Sequence, residues 1–233
     1  MDLLEAIKAR HSVRQYTDRP IEGETLAKLQ TLVNEANWES GLNMQLVLNA
    51  PDVLKRCNAQ YGSYAGLSNF IALVGSDDAD LEEDCGYYGE RIVLEAQRMG
   101  LNTCWMCFSW RNTVEVVKVR PTERLVCIIV IGYGENQGVE RIRNSVEGLC
   151  RVDGCNPLDT SALPDWFLAG MEAARLAPTA MHQQQFVMEY KTSAPNEVRA
   201  VSLGGHLANV DLGIVKYHFE VGANSVSEDW EWA

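Results

Sequence analysis

The chain has 233 residues, of which 46% are hydrophobic, and its formal net charge is −12 at pH 7. This length suits one large hydrophobic core or two small ones. The acidic balance disfavours a nucleic-acid partner, because neutralising phosphates needs a basic face. The longest strongly apolar run, 125–131, is too short to cross a bilayer, and the first residues lack a basic, apolar leader. We therefore expect a soluble, cytoplasmic protein that does not bind membranes.

Seven cysteines in a chain without an export signal favour reduced thiols over a disulfide framework. Cys104 and Cys107 have CxxC spacing, and Cys150 and Cys155 lie downstream. Zinc is disfavoured because the second pair is spaced differently and the first has bulky apolar neighbours. A redox-active CxxC normally opens a helix after a strand, whereas this pair follows a helix and a glycine. We expect no metal site, and a thiol-based redox protein remains an alternative.

The chain in order predicts a mixture of helices and strands. Asp2 and Glu5 form a predicted capping box for a helix that ends at Ala9. Periodic apolar residues and stop signals predict further helices at 25–36, 51–59, 80–99, 113–118, 166–177 and 206–221. Strands are predicted at 45–48, 70–74, 125–131, 186–188 and 201–203. The strand 125–131 is apolar throughout, as expected for a central strand covered on both faces.

The second part of the chain resembles a worn copy of the first. Gln45 opens a strand after one helix, as Gln185 does after a later helix, and Gly100 and Gly222 each end a long helix. Two related halves usually pack about a pseudo-twofold axis. We predict an N-terminal half at 1–160 and a shorter C-terminal half at 161–233, packed as one compact unit.

A basic cluster follows the first helix, where Arg10, Ser12 and Arg14 lie within five residues of one another. Guanidinium groups bind phosphate oxygens in a bidentate manner, although a solvated basic turn would have the same composition. Arg141 and Arg143 follow the strand 125–131 and could bind the same phosphate or be surface charge. The glycine-containing stretch 132–138 lies between this strand and Arg141. It lacks the helix and the acidic residue of a dinucleotide-binding turn, which disfavours a Rossmann fold.

Together, four stretches resemble the nitroreductase-fold FMN flavoproteins, in the branch with two nitroreductase-like halves fused in one chain. Residues 10–14 are similar to that family's Arg-x-Ser-x-Arg motif, which binds the FMN phosphate and ribityl chain. Residues 99–105 resemble its Gly-Leu-Gly-Thr-Cys-Trp segment beside the isoalloxazine, and 141–143 lie where it has a second basic pair. Residues 177–184 are similar to its Ala-Pro-Ser-x-x-Asn-x-Gln loop, which in homodimeric relatives comes from the partner subunit.

The resemblance implies an α+β, nitroreductase-like fold, internally duplicated as a pseudo-dimer around a mainly antiparallel sheet with flanking helices. It implies an FMN-dependent oxidoreductase that takes electrons from NAD(P)H and passes them to a small nitroaromatic or quinone-type acceptor. Side-chain acids and bases are not required, because the flavin carries the chemistry. The implied cofactor-binding residues are Arg10, His11, Ser12, Arg14, Trp105, Met106, Cys107, Arg141, Arg143, Pro178, Thr179, Ala180, His182 and Gln184. A flavin-binding protein without turnover is the alternative, and either could be a monomer or a homodimer.

Within this scheme, the apolar surfaces of Trp105, Met106 and Pro178 would face the flavin ring. Backbone N–H groups of Cys107 and Phe108 would lie near its N5 atom. Three departures from the family pattern matter. His182 stands where asparagine is usual, Asn102 replaces a glycine, and the second half has no Arg-x-Ser-x-Arg equivalent. We therefore expect one flavin per chain.

Overall fold

The computed structural model describes residues 1–56, 64–107, 116–155, 160 and 163–233. The described helices are α1 (Leu3–Ala9), α2 (Gly23–Ser40), α3 (Pro51–Arg56), α4 (Leu81–Arg98), α5 (Val146–Leu149), α6 (Asp165–Ala174) and α7 (Ala208–Asn224). The strands are β1 (Gln45–Val47), β2 (Asn69–Ser76), β3 (Asn102–Met106), β4 (Glu123–Gly132), β5 (Cys150–Val152), β6 (Phe186–Lys191), β7 (Ala194–Ser202) and β8 (Glu231–Trp232). Among these helices, none combines the length and apolar character that crossing a membrane requires.

The first sheet has the strand order β1-β2-β4-β3, and every neighbouring pair is antiparallel. Its central strand β4 contributes alternate side chains to two hydrophobic clusters on opposite faces. Cys127, Ile129 and Ile131 pack in one cluster, and Ile128 and Val130 in the other. This arrangement confirms the prediction of a central strand buried on both faces, since successive side chains of a strand point to opposite sides.

The second sheet has the order β5-β6-β7-β8 and is mixed. β6 and β7 form an antiparallel hairpin, whereas β5 is parallel to β6 and β8 is parallel to β7. The α+β class is confirmed, with two sheets in place of the one expected. Because β5 precedes residue 160 but pairs with β6, the boundary between the sheets does not coincide with the predicted boundary between the halves.

Helices α4 and α7 pack against each other at a close crossing. A Cβ atom at Gly86 would lie 2.1 Å from the Val210 carbonyl oxygen, and one at Gly213 would lie 1.9 Å from that of Glu83. Only glycine permits so close an approach at either position. The contact is also reciprocal, because the residue three positions before each glycine supplies the carbonyl that the other glycine meets. Such self-complementarity is characteristic of an isologous interface.

The order of elements around this helix pair is repeated. The first set runs α2, β1, β2, α4 and β3, with α3 inserted after β1; the second runs α6, β6, β7, α7 and β8. In the first sheet β4 separates β2 from β3, whereas in the second sheet β8 pairs directly with β7. Among the described residues, the second set therefore lacks counterparts of α3 and β4.

Several local predictions need correction. The sequence did not predict β3, because the CxxC interpretation obscured its strand pattern. The strand predicted at 201–203 is only the end of β7, whose preceding residues are largely exposed and polar. Pro164 is the N-cap of α6, which ends at Ala174 and not at Ala177. Parts of the helices predicted at 51–59 and 113–118 lie outside the described residues, and 116–118 are not helical.

Candidate functional site

One cavity of about 590 Å³ collects nearly all the predicted site residues. It is bounded by the segment after α1, the end of β3, the loop after β4, the loop after α6 and the beginning of α7. The predicted residues that line it are Arg10, His11, Ser12, Arg14, Trp105, Met106, Cys107, Arg141, Arg143, Pro178, Thr179, Ala180 and His182. Of the predicted set, Gln184 is not in the lining.

Backbone pairing with β3 places the basic segment in this cavity. The capping box at Asp2 and Glu5 starts α1 as predicted. At Arg10, the C-cap, the backbone becomes extended, and the chain then follows β3, with the Val13 N–H donating to the Thr103 carbonyl at 3.0 Å. The loop after β4 approaches this segment through Gly138, which has a φ of +77°. A Cβ atom there would lie 2.7 Å from that of His11, so this position requires glycine.

Two arginines at the cavity have a buried Nε atom that makes no hydrogen bond among the described residues, although that of Arg10 lies 3.7 Å from Glu90 Oε1. Arg10 is 4% exposed and Arg143 is half-buried. Burial lowers the pKa of both guanidinium groups, and the charge of Arg10 lowers the pKa of Arg143 further. Buried polar groups are normally hydrogen-bonded. An anion bound between these side chains would satisfy the donors and offset the repulsion.

Arg14 lies at a more open part of the cavity. Its Nη1 donates to the Ser12 carbonyl at 3.5 Å, and its Cζ lies 5.9 Å from the centre of the Tyr64 ring. Burial by itself would lower the pKa of Arg14, but the neighbouring Cys104 thiol and Tyr64 hydroxyl raise it above its ordinary value. Arg14 therefore remains charged at any physiological pH and is suited to binding an anion.

The β3 wall of the cavity is apolar. Trp105 and Met106 line it, and the Trp105 Nε1–H is directed away from the cavity to Glu90, at 2.9 Å from Oε2. Burial raises the pKa of the Cys104 thiol, which disfavours the thiolate that a cysteine-based reaction needs. The predicted contribution of the Phe108 N–H lies outside the described residues.

The opposite wall is an irregular loop after α6. Met181, His182 and Gln184 have φ values of +53°, +58° and +47°, in the left-handed region that side chains other than glycine rarely adopt. Asp211 of α7 holds this loop, since its carboxylate accepts from the Ala180 N–H at 2.8 Å and from Gln183 Nε2 at 3.0 Å. Strained residues that line a cavity and are held by side chains are frequent at functional sites.

The placement of Gln184 corrects the sequence analysis. Its buried amide accepts from the Asn144 N–H at 2.9 Å and donates to the Arg175 carbonyl at 3.0 Å. These bonds join the two loops that border the cavity, so the side chain supports the wall from behind. His182 is also partly engaged, because its Nε2 donates to the Ile142 carbonyl at 2.5 Å. Its Nδ1 is the ring nitrogen that could contact a ligand.

Two acidic residues at the site were missed by the sequence analysis. Asp211 is the single carboxylate among the described lining residues, and burial raises its pKa to about 6. Glu90 lies one side chain behind the cavity and is 0% exposed. The available signal for Glu90 was its position on the apolar face of a predicted helix, where Gly89 and Ile92 are its neighbours.

Comparisons with known proteins identify the family of the chain. The family described as "Putative TM nitroreductase" matches residues 2–223. The chain is 28% identical over 126 residues to a "Putative NAD(P)H nitroreductase" of Haemophilus influenzae, covering 53% of this chain and 67% of that protein. It is 29% identical over 121 residues to a "Putative NADH dehydrogenase/NAD(P)H nitroreductase" of Methanothermobacter thermautotrophicus, covering 45% of this chain and 60% of that protein.

Solved structures show the same fold. The crystal structure of a putative nitroreductase from Thermotoga maritima has a TM-score of 0.66 at 22% identity, covering 97% of this chain and 85% of that chain. A "Putative NADH dehydrogenase/NAD(P)H nitroreductase" from Parabacteroides distasonis has a TM-score of 0.52 at 21% identity, with 63% of this chain covering 95% of that one. The chain therefore belongs to the family described as "Putative TM nitroreductase", and it has the fold of the nitroreductase-like oxidoreductases.

Proposed function

We propose that the cavity binds FMN and that the protein transfers electrons from NAD(P)H to nitroaromatic or quinone-type acceptors. The observation that carries this proposal is that Arg10 and Arg143, each with a buried Nε atom that lacks a hydrogen bond among the described residues, line the cavity beside an aromatic and apolar wall. FMN has a dianionic phosphate at one end and a large planar ring at the other. The residues present therefore fit both ends of this cofactor.

The lining residues divide into three roles in this proposal. Arg10, Ser12, Arg14 and Arg143 bind the phosphate and the adjoining hydroxyl groups. Trp105, Met106 and Pro178 pack against the ring, and Thr179 and the free Nδ1 of His182 are the polar groups nearest that end. When bound, FMN supplies the two-electron chemistry between NAD(P)H and the acceptor. The protein orients the cofactor and shields it from water.

The proposed site lies between two related halves, which the sequence divides at 1–160 and 161–233. Support comes from the reciprocal glycine contacts of α4 and α7 and from the repeated order of helices and strands. The Arg-x-Ser-x-Arg motif occurs in the first half alone. We propose one FMN per chain for that reason, and a loop from the second half completes the site as a partner subunit's loop would in a dimer.

The direct test is the visible spectrum of the purified protein, followed by titration with FMN. We expect flavin absorption and saturable binding of one FMN per chain. Oxidation of NADH and of NADPH would then be measured with menadione or nitrofurazone as acceptor. A folded protein that stays colourless in excess FMN, without heat of mixing, would overturn the proposal. Bound flavin that neither nicotinamide donor reduces would instead identify a flavin-binding protein without turnover.

Substitution of the phosphate-binding arginines tests the orientation of the cofactor. Arg10→Ala and Arg14→Ala should each weaken FMN binding by roughly 1.5–3 kcal/mol, because a charge-assisted hydrogen bond is lost. Arg120→Ala is the matched control, since this arginine is 74% exposed and pairs with Glu123 away from the cavity. Equal FMN affinity in all three variants would remove the basic segment from the site.

A further inference from the structure

A buried polar cluster lies immediately behind the cavity and is centred on Glu90 of α4. Its carboxylate accepts from Trp105 Nε1 at 2.9 Å and contacts His218 Nε2 at 2.9 Å and Arg10 Nε at 3.7 Å. Glu90 and His218 are both 0% exposed. Trp105 and Arg10 line the cavity, whereas Glu90 and His218 do not. The cluster therefore connects two site residues to α7 through a single carboxylate.

The hydrogen bonds determine where protons are held. His218 Nδ1 lies 3.1 Å from the Ala173 carbonyl oxygen, which can only accept, so Nδ1 carries a hydrogen. The contact between His218 Nε2 and Glu90 then contains one further proton. A carboxylate that also accepts the indole N–H and faces the Arg10 guanidinium is best satisfied when ionised. We place the shared proton on His218, which leaves an imidazolium paired with a carboxylate.

Stability alone does not account for such a pair. Removing two charges from water is costly, and apolar side chains of similar volume often stabilise a core equally well. Neither group touches the cavity, but the carboxylate contacts one residue proposed to hold the phosphate and one proposed to face the ring. These contacts indicate that the cluster serves the site rather than the packing of the core.

We propose that Glu90 is a positioning residue that fixes Trp105 and Arg10, and that the Glu90–His218 pair sets the electrostatic potential of the flavin site. The proposal rests on the proposed function, because it assumes that FMN occupies the cavity. The negative member of the pair lies next to the cavity and the positive member lies further away on α7. Removing either charge should therefore change the flavin reduction potential, and in opposite directions.

Two isosteric or near-isosteric substitutions separate this role from a purely structural one. In Glu90→Gln the amide can accept from Trp105 and donate to a neutral His218, so the contacts remain while both charges of the pair are lost. Because the carboxylate is the charge nearer the cavity, the site becomes more positive, and reduced FMN should gain about tenfold in affinity relative to oxidised FMN, or about 30 mV for a two-electron couple. His218→Gln leaves the carboxylate without its imidazolium and should shift the ratio by a similar factor in the opposite direction.

The matched control is Glu220→Gln, which removes a carboxylate from the same α4–α7 interface. Glu220 accepts from the Tyr87 hydroxyl at 2.7 Å and does not contact the cavity residues of the cluster. In Glu220→Gln, the reduction potential of the bound flavin should remain that of the unsubstituted protein. The proposal would be overturned if Glu90→Gln and His218→Gln shifted the flavin reduction potential in the same direction, or if neither variant shifted it.

A second measurement does not need flavin. Nitrogen-15 NMR of the imidazole groups in the FMN-free protein, with His218 assigned by substitution, reports whether both ring nitrogens carry hydrogen at neutral pH. We expect an imidazolium at His218, and a neutral ring would overturn the assigned charge pair. Failure of the protein to bind FMN would overturn the proposed function separately, since this signal does not depend on the cofactor.

Discussion

Two loops of related sequence perform different tasks in the two parts of the molecule. At the end of the loop before β1, where the strand begins, the Gln45 side chain accepts from the Lys118 N–H at 2.8 Å and donates to its carbonyl at 2.7 Å. In the loop before β6, Gln184 makes the same kind of two-sided bridge, to Asn144 and Arg175. The hydrogen bonds of the first bridge are exposed, whereas those of the second are partly buried behind the cavity. A glutamine bridge therefore holds a surface segment in the first case and the wall of a site in the second.

The backbones of the two loops also differ, in the residues that adopt positive φ values. The first turns through Gly41, for which a φ of +74° costs little. The second turns through Met181, His182 and Gln184, which adopt similar angles with side chains attached. Each loop is also held by a carboxylate, that of Glu123 in the first and that of Asp211 in the second. We infer that the site loop has more strain than its counterpart and depends more strongly on its hydrogen bonds.

The largest expected effect concerns Asp211 and Asp84, which precede Gly213 and Gly86 by two residues in the paired helices. Burial raises the pKa of Asp211 from 3.8 to about 6, so the folded protein binds a proton that the unfolded chain releases between these values. The resulting stability is fully present below pH ~4 and is lost as the pH rises through about 6. Relative to Asp211→Asn, the free energy of unfolding of the unsubstituted protein should increase by roughly 2–3 kcal/mol on acidification from pH 7.

Urea unfolding of both proteins across this pH range measures the difference. Asp84→Asn is the matched control, since burial also raises the pKa of Asp84, but this residue is only half-buried and holds no loop. Its pH dependence should be weaker. A difference between Asp211→Asn and the unsubstituted protein that does not vary with pH would contradict the role of burial at Asp211.

The second comparison removes the two glutamine bridges. Gln184→Ala removes a buried side chain and leaves the Asn144 N–H and the Arg175 carbonyl without their partner in a partly buried place, which should cost about 1–3 kcal/mol of the free energy of unfolding. Gln45→Ala should cost less than about 1 kcal/mol, because water can replace an exposed hydrogen bond. FMN affinity should fall in Gln184→Ala alone. Equal losses of stability and affinity would mean that the two loops are equivalent.

The smallest effect tests backbone strain in the site loop directly. Met181 is 64% exposed, so its side chain contributes little packing. Met181→Gly should be more stable than Met181→Ala by about 1 kcal/mol, because alanine keeps the left-handed penalty and glycine does not. At ordinary helix or strand positions this order is reversed. Thermal unfolding shows which of the two variants is more stable. A more stable alanine variant would show that the loop is unstrained.

Much of the fold was predictable because its signals are local. The capping box of Asp2 and Glu5, the apolar stripe of α2 and the continuous apolar run of β4 depend only on neighbouring residues. The basic segment from Arg10 to Arg14 was likewise recognisable from its composition. In contrast, β3 was missed, since its short run of mixed residues becomes a strand only by pairing with β4.

The sequence by itself determined most of the helices and strands, and that a basic segment and a polar loop exist. The tertiary structure alone decided that these parts meet in one cavity, that Gln184 supports the wall from behind, and that Asp211 and Glu90 belong to the site. The physical reason is distance along the chain. Periodicity and capping encode local conformation, whereas the burial of a carboxylate and the identity of its partners depend on how α4 and α7 pack.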